Sequence, residues 1–148
     1  MPINPQDRNS FFNGLLILIG KEKNMTQDEC AMLLKIAKSL GFSTDYANNA
    51  MKNFLSKEII TEEPPVFSDY NFAEIFIRDG MRLALADKIL NFDQIEWLSK
   101  TALKNNLSKQ WVFIELESLL DNFYSRNKSH FEIQNYIDPL YNSNSFIN

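Results

Sequence analysis

Four acids stand at matching places around two short turns of this chain. Glu22 and Asp28 flank KNMTQ, and Asp87 and Asp93 flank KILNF. Carboxylate oxygens are the ligands that a hard cation takes, so Glu22, Asp28, Asp87 and Asp93 form a candidate set for Ca²⁺ or Mg²⁺, and no other cofactor is implied. The spacing lacks the twelve-residue acidic loop with a central glycine of an EF-hand. A purely structural reading stands beside it: Asp28, Glu29 and Asp93 fall in the first turns of helices, where a carboxylate is favoured by the helix dipole.

Two tryptophans are candidate anchors for a protein partner. At about 100° per residue, Trp97 lies roughly 200° around its helix from Ile95, off the apolar stripe of Ile95, Leu98 and Ala102 and on the side of Asp93, Lys100 and Lys104. Exposed, Trp97 would anchor a partner on a patch near Trp111, the other expected binding surface being an apolar groove between the two halves of the chain. The alternative is burial against another helix, which the apolar Met32 at the matching place 65 residues earlier favours. The lone His130 has no serine or cysteine nucleophile motif beside it, and the lone Cys30 lies on an apolar stripe with Leu33 and Ala37, where an inert buried thiol is the ordinary reading.

These residues need elements to hold them, and the composition bounds what those are. At 148 residues, 45% hydrophobic and 13% aromatic with 4 glycines, the chain has enough apolar surface for one folded domain. A net charge of −4 offers phosphate backbones no overall attraction, so nucleic acid is not an expected partner. One cysteine and one histidine exclude an intramolecular disulfide and a Cys/His zinc cage. The most apolar run, FFNGLLILIG at 11–20, is about half the length that crosses a bilayer, and no cleavage signal follows it. A cytoplasmic location without membrane insertion is expected.

Caps and breaks divide the chain into helices. Asn4-Pro5-Gln6-Asp7 starts a first helix over about 5–22, and the capping box of Thr26 with Glu29 starts a second over about 27–40, closed by Gly41. Ser43 caps a third that turns Tyr46, Ala50, Met51, Phe54 and Leu55 to the core. Adjacent prolines in 58–68 make that segment a connecting loop. Ser68, followed by Asp69, opens a fourth helix, apolar on most sides and so central; Asn91 with Gln94 opens a fifth; Ser108 caps a sixth carrying Val112, Leu116, Leu119, Leu120 and Phe123. Ser129 with Glu132 starts a short last helix, and a disordered tail is expected over about 142–148.

A shift of 65 residues superposes the two halves. It sets Asp28 on Asp93, Leu33 on Leu98, Lys35 on Lys100, Ala37 on Ala102 and Ser43 on Ser108, with Gly41 on Asn106, the two residue types best suited to a left-handed helix end. The expected fold is therefore all-α, six to seven helices in two pseudo-repeated three-helix units, about 5–57 and 68–127, packed around central helices 1 and 4 as a single domain over 1–148.

Ala86-Asp87-Lys88-Ile89-Leu90-Asn91-Phe92-Asp93, followed by a helix and then Asn106-Leu107-Ser108, resembles the TerB-like family of bacterial tellurite-resistance proteins and related domains attached to some J-domain co-chaperones. The family pattern is a helix ending in Ala-Asp-Gly, an aliphatic residue, an acidic helix start and Gly-aliphatic-Ser at the next turn. The likeness covers about 68–125, and more loosely 21–29 with Gly41-Phe42-Ser43. Lys88 stands where the family has glycine, as does Lys23 in the first half, and a cation beside the acids competes with a bound metal. The resemblance implies an all-α fold with no established enzymatic activity, with metal binding by the turn acids as an option. The leading expectation is a non-enzymatic interaction module with a protein partner, in the setting of a stress-response assembly. A divalent-cation sensor using the four turn acids is the second, and a carboxylate-dependent enzyme the third. Oligomeric state is not legible.

Overall fold

The computed structural model describes residues 3–21, 25–56, 62–87, 90–126 and 131–136. They form α1 (Pro5–Gly20), α2 (Gln27–Ser39), α3 (Thr44–Ser56), α4 (Tyr70–Ala84), a 3₁₀ turn (Leu85–Asp87), α5 (Phe92–Lys104), α6 (Lys109–Arg126) and the one-turn α7 (Ile133–Tyr136). The fold is all-helical among the described residues, and none of these helices is long and apolar enough to cross a membrane.

The same local chemistry builds each half. Thr26 and Glu29 cap α2 reciprocally, and Asn91 and Gln94 cap α5 in the same way. Both helices end in a Schellman turn: Gly41 at φ 92° and Asn106 at φ 63° take the left-handed position. The next residues, Phe42 and Leu107, donate their N–H groups to the carbonyls of Ala37 and Ala102 at 2.9 and 2.8 Å. Ser43 and Ser108 then accept the N–H groups of Tyr46 and Trp111 and cap α3 and α6.

The halves join where α1 and α4 meet. A Cβ added at Gly14 would lie 2.7 Å from the Phe76 ring, and one at Gly80 would lie 2.8 Å from Leu18, so each central helix carries a glycine where the other presses on it. Phe76 is the hub, meeting Phe11 and Phe67 at 5.3 Å and Trp97 at 6.1 Å between ring centroids. Each central helix also packs on the other half's second helix, α1 on α5 and α2 on α4. Gln94 tightens the first of these contacts, donating from Nε2 to the Leu18 carbonyl at 3.2 Å.

Several expectations are corrected. Ala47, not Tyr46, turns to the core from α3; Tyr46 is 48% exposed and stacks on Phe42. Met51, four residues on from Ala47, shares that inner face. Asp69 caps α4, whereas Ser68 gives its hydroxyl and N–H to the buried Asp7 carboxylate. The α7 N-terminus is capped from another helix: Asp79 accepts the N–H groups of Glu132 and Ile133 at 2.8 and 3.0 Å. Ser129 and the tail lie outside the described residues, as does the Leu55 side chain. The connecting loop is pinned rather than loose over 62–67. Asn105 accepts from the Phe67 N–H at 2.9 Å and donates to the Pro65 carbonyl at 2.9 Å, with Phe67 buried.

Candidate functional site

Two grooves flank α5, and their chemistry differs. The first, ≈ 580 Å³, lies between α5 and the loop at 62–64 and gathers Asp93, Trp97, Lys100 and Lys104, the set that helical spacing placed on one side. Its three lysines are paired within the chain, Lys21 with Glu62 at 2.9 Å, Lys104 with Glu63 and Lys100 with Glu96 at 3.6 Å, while Asp93 forms no ion pair among the described residues. The hydrogen bond from Lys104 holds the Glu63 carboxyl below its usual range. Exposed pairs of this kind add little stability. They do compensate the lysines, and Asp93 leaves the groove weakly acidic.

Trp97 is the floor of this groove, not an exposed anchor. It is 4% exposed, its Nε1–H is donated to the Glu62 carbonyl at 2.8 Å, and its ring meets the edge of Phe76. The reason is the loop, which crosses the side of α5 that the helical wheel alone leaves open. Trp111 is half-buried, with the Arg78 guanidinium 5.9 Å from its ring centroid, so it too is held by the protein's own groups.

The second groove, ≈ 340 Å³, runs between α5 and α6 and is walled by Phe92, Ile95, Leu103 and Phe113. Phe92 is 74% exposed, Leu103 60% and Phe113 47%; Ile114, next along α6, is 64% exposed. Single exposed apolar residues need no explanation, but a cluster around a concave surface does. The internal pseudo-repeat sharpens this. At a shift of 65 the counterparts of Phe92, Leu103, Phe113 and Ile114 are Gln27, Lys38, Asn48 and Asn49, all exposed on α2 and α3. The fold makes the same helix pair there with polar side chains, so folding does not demand apolar ones.

Of the acids considered as metal ligands, Asp28 and Asp93 are exposed in the first turns of α2 and α5. Glu22 and the side chain of Asp87 lie outside the described residues, as does His130. Among the described residues no three His, Cys, Asp or Glu side chains group as a metal site. Cys30 is half-buried, and burial, then the neighbouring Glu29 charge, push its thiol up, away from the reactive thiolate.

Sequence reasoning missed one buried charge system. Asp79 is fully buried and accepts from Arg82 at 2.8 Å; Arg82 and Arg78 both reach Glu132, and Arg78 also reaches Glu115 on α6. Burial pushes the Asp79 carboxyl up to about 6, against the Ile133 and Glu132 N–H groups and Arg82, which pull it down. Burial also raises Glu132, but its bonds to Arg78 and Arg82 outweigh that and hold it below its usual range. Each Asp79 oxygen is engaged by a backbone N–H, so the group acts as a latch for α7 rather than as a free acid or base.

No protein-family model, curated protein or solved structure matches this chain.

Proposed function

We propose that this chain is a non-enzymatic interaction module that engages protein through the α5–α6 face. The observation that carries the reading is the exposed apolar set Phe92, Leu103, Phe113 and Ile114, at positions where the other half of the same fold has Gln27, Lys38, Asn48 and Asn49. A groove between two neighbouring helices, apolar along its walls and charged at its rim, suits apolar side chains projected at helical spacing from a partner's surface. The TerB-like resemblance of residues 86–93 and 106–108 supports the same reading, that of a cytoplasmic module working within a stress-response assembly.

A selection from a displayed library of random peptides, run on the wild type and on a Leu103→Lys/Phe113→Asn variant, tests this. The expected result is enrichment of peptides with two or more apolar residues at helical spacing that bind the wild type and not the variant. Peptides that bind both equally would contradict the reading, as would no enrichment on a wild type that sediments as a monomer.

A further inference from the structure

We propose that the occupant of the α5–α6 groove is a second copy of this chain, related by a two-fold axis across the groove; this rests on the reading of that face as an interaction surface. The groove is electrically polar along its length. Helices α5 and α6 are joined by only residues 105–108 and pack on each other, so they run antiparallel. Lys109, in the first turn of α6, therefore lies beside the end of α5, and Lys100 lies near it on the α5 wall. Toward the other end stand Glu96, which pairs with Lys100 at 3.6 Å within the chain, and Glu117, which shares the row of Lys109 and Phe113 at four-residue spacing, so Lys109 and Glu117 are the charges that mark the two ends. All four are exposed.

A rotation of 180° about an axis through the middle of the groove lays the basic end of one copy on the acidic end of the other. The Lys109–Glu117 contact is then made twice, while the apolar walls meet at the centre, as an isologous interface requires. A partner of one charge sign gains no such match, because two lysines and two glutamates cancel. Helix stability does not account for Lys109: a cation in the first turn faces the positive end of the helix dipole, and the Lys109 ammonium forms no ion pair among the described residues. Its counterpart in the first half is Thr44, and the counterparts of Glu96 and Glu117 are Ala31 and Lys52. The charge-reversing pattern therefore accompanies the apolar groove and is missing where that groove is missing.

Sedimentation equilibrium of the full chain tests the proposal with two charge variants, Lys100→Glu/Lys109→Glu and Glu96→Lys/Glu117→Lys. The wild type is expected to dimerise. Each variant alone brings like charges together and should weaken the dimer roughly a hundredfold, and an equimolar mixture of the two should restore it, since their ends are complementary again. A wild type that stays monomeric, variants that dimerise as it does, or a mixture that stays monomeric would each overturn the proposal. If a charge variant loses its helical circular dichroism, Phe113→Asn, which copies Asn48, is read instead; a dimer that persists in it overturns the proposal too. A monomeric wild type that still selects peptides through Leu103 and Phe113 defeats the second copy alone. A monomer that selects none defeats the broader reading as well.

Discussion

Helix pair α2–α3 and helix pair α5–α6 are built by the same rules and finished differently. Their capping boxes, Schellman turns and serine caps coincide at a shift of 65, and so do buried positions: Leu33 with Leu98, Ala37 with Ala102, Ala47 with Val112. The differences lie in two places. On the surface, polar Gln27, Lys38, Asn48 and Asn49 face apolar Phe92, Leu103, Phe113 and Ile114. In the interior, Leu40 faces Asn105 and Glu29 faces Gln94. Caps and small buried residues thus specify the helix pair; the remaining positions are available for joining the halves and for binding.

Making the second half resemble the first at Asn105 should have the largest effect. Asn105→Leu copies Leu40 but leaves the buried Phe67 N–H and the Pro65 carbonyl without their partner, so about 2–4 kcal/mol of stability should be lost in denaturant unfolding. The reverse inference holds as well: a loss within 0.5 kcal/mol, roughly that of an uninvolved surface position, would show that the loop is not held by this residue.

Asp79 is a second-half feature, since its counterpart is Gly14. Asp79→Ala should cost about 2 kcal/mol and release α7, raising amide exchange at Glu132 and Ile133. The pH dependence has a definite sign. The folded-state value of about 6 lies above the ordinary 3.8, so the folded chain binds the proton more tightly than the unfolded one. The Asp79 contribution is fully present below 3.8 and is lost as pH rises through about 6. Against Asp79→Asn, which does not titrate, the wild type should lose up to about 3 kcal/mol across that window. A flat difference between the two unfolding curves would remove the assignment.

Glu29 and Gln94 supply a smaller and reciprocal test. Gln94 donates to the Leu18 carbonyl, whereas the buried Oε2 of Glu29 has no hydrogen-bond partner among the described residues. The counterpart of Leu18 is Leu83. Glu29→Gln supplies a donor at the matching place and should raise stability by about 1 kcal/mol, while Gln94→Glu should lower it by about 1–3 kcal/mol. Equal signs in thermal melts would break the equivalence of the two sites.

Local signals made much of this fold legible. Asn4-Pro5, Thr26 with Glu29, Asn91 with Gln94, and Gly41 with Asn106 each act within a few residues, and all four appear in the structure as read. What stayed hidden depends on long-range polar contacts. Asn105 reaches Phe67 across 38 positions and Asp79 reaches Ile133 across 54, and no spacing rule marks either. Helical spacing sets Trp97 on the side of Asp93, Lys100 and Lys104, but the loop that covers it is invisible to a helical wheel. The apolar face was within reach: Phe92 and Leu103 lie where the other repeat is polar, a contrast that appears once the repeats are compared by surface as well as by core.

The smallest expected change in stability belongs to the substitution that tests the account most directly. A variant carrying Phe92→Gln, Leu103→Lys, Phe113→Asn and Ile114→Asn gives the second half the surface of the first. Its melting temperature and its sedimentation should be measured beside those of the wild type. A melting temperature within a few degrees of the wild type, with self-association abolished, is the predicted result, because each exposed change costs within about 0.5 kcal/mol. Collapse of the fold, or self-association that survives all four changes, would contradict the division between residues that build this helix pair and residues that bind.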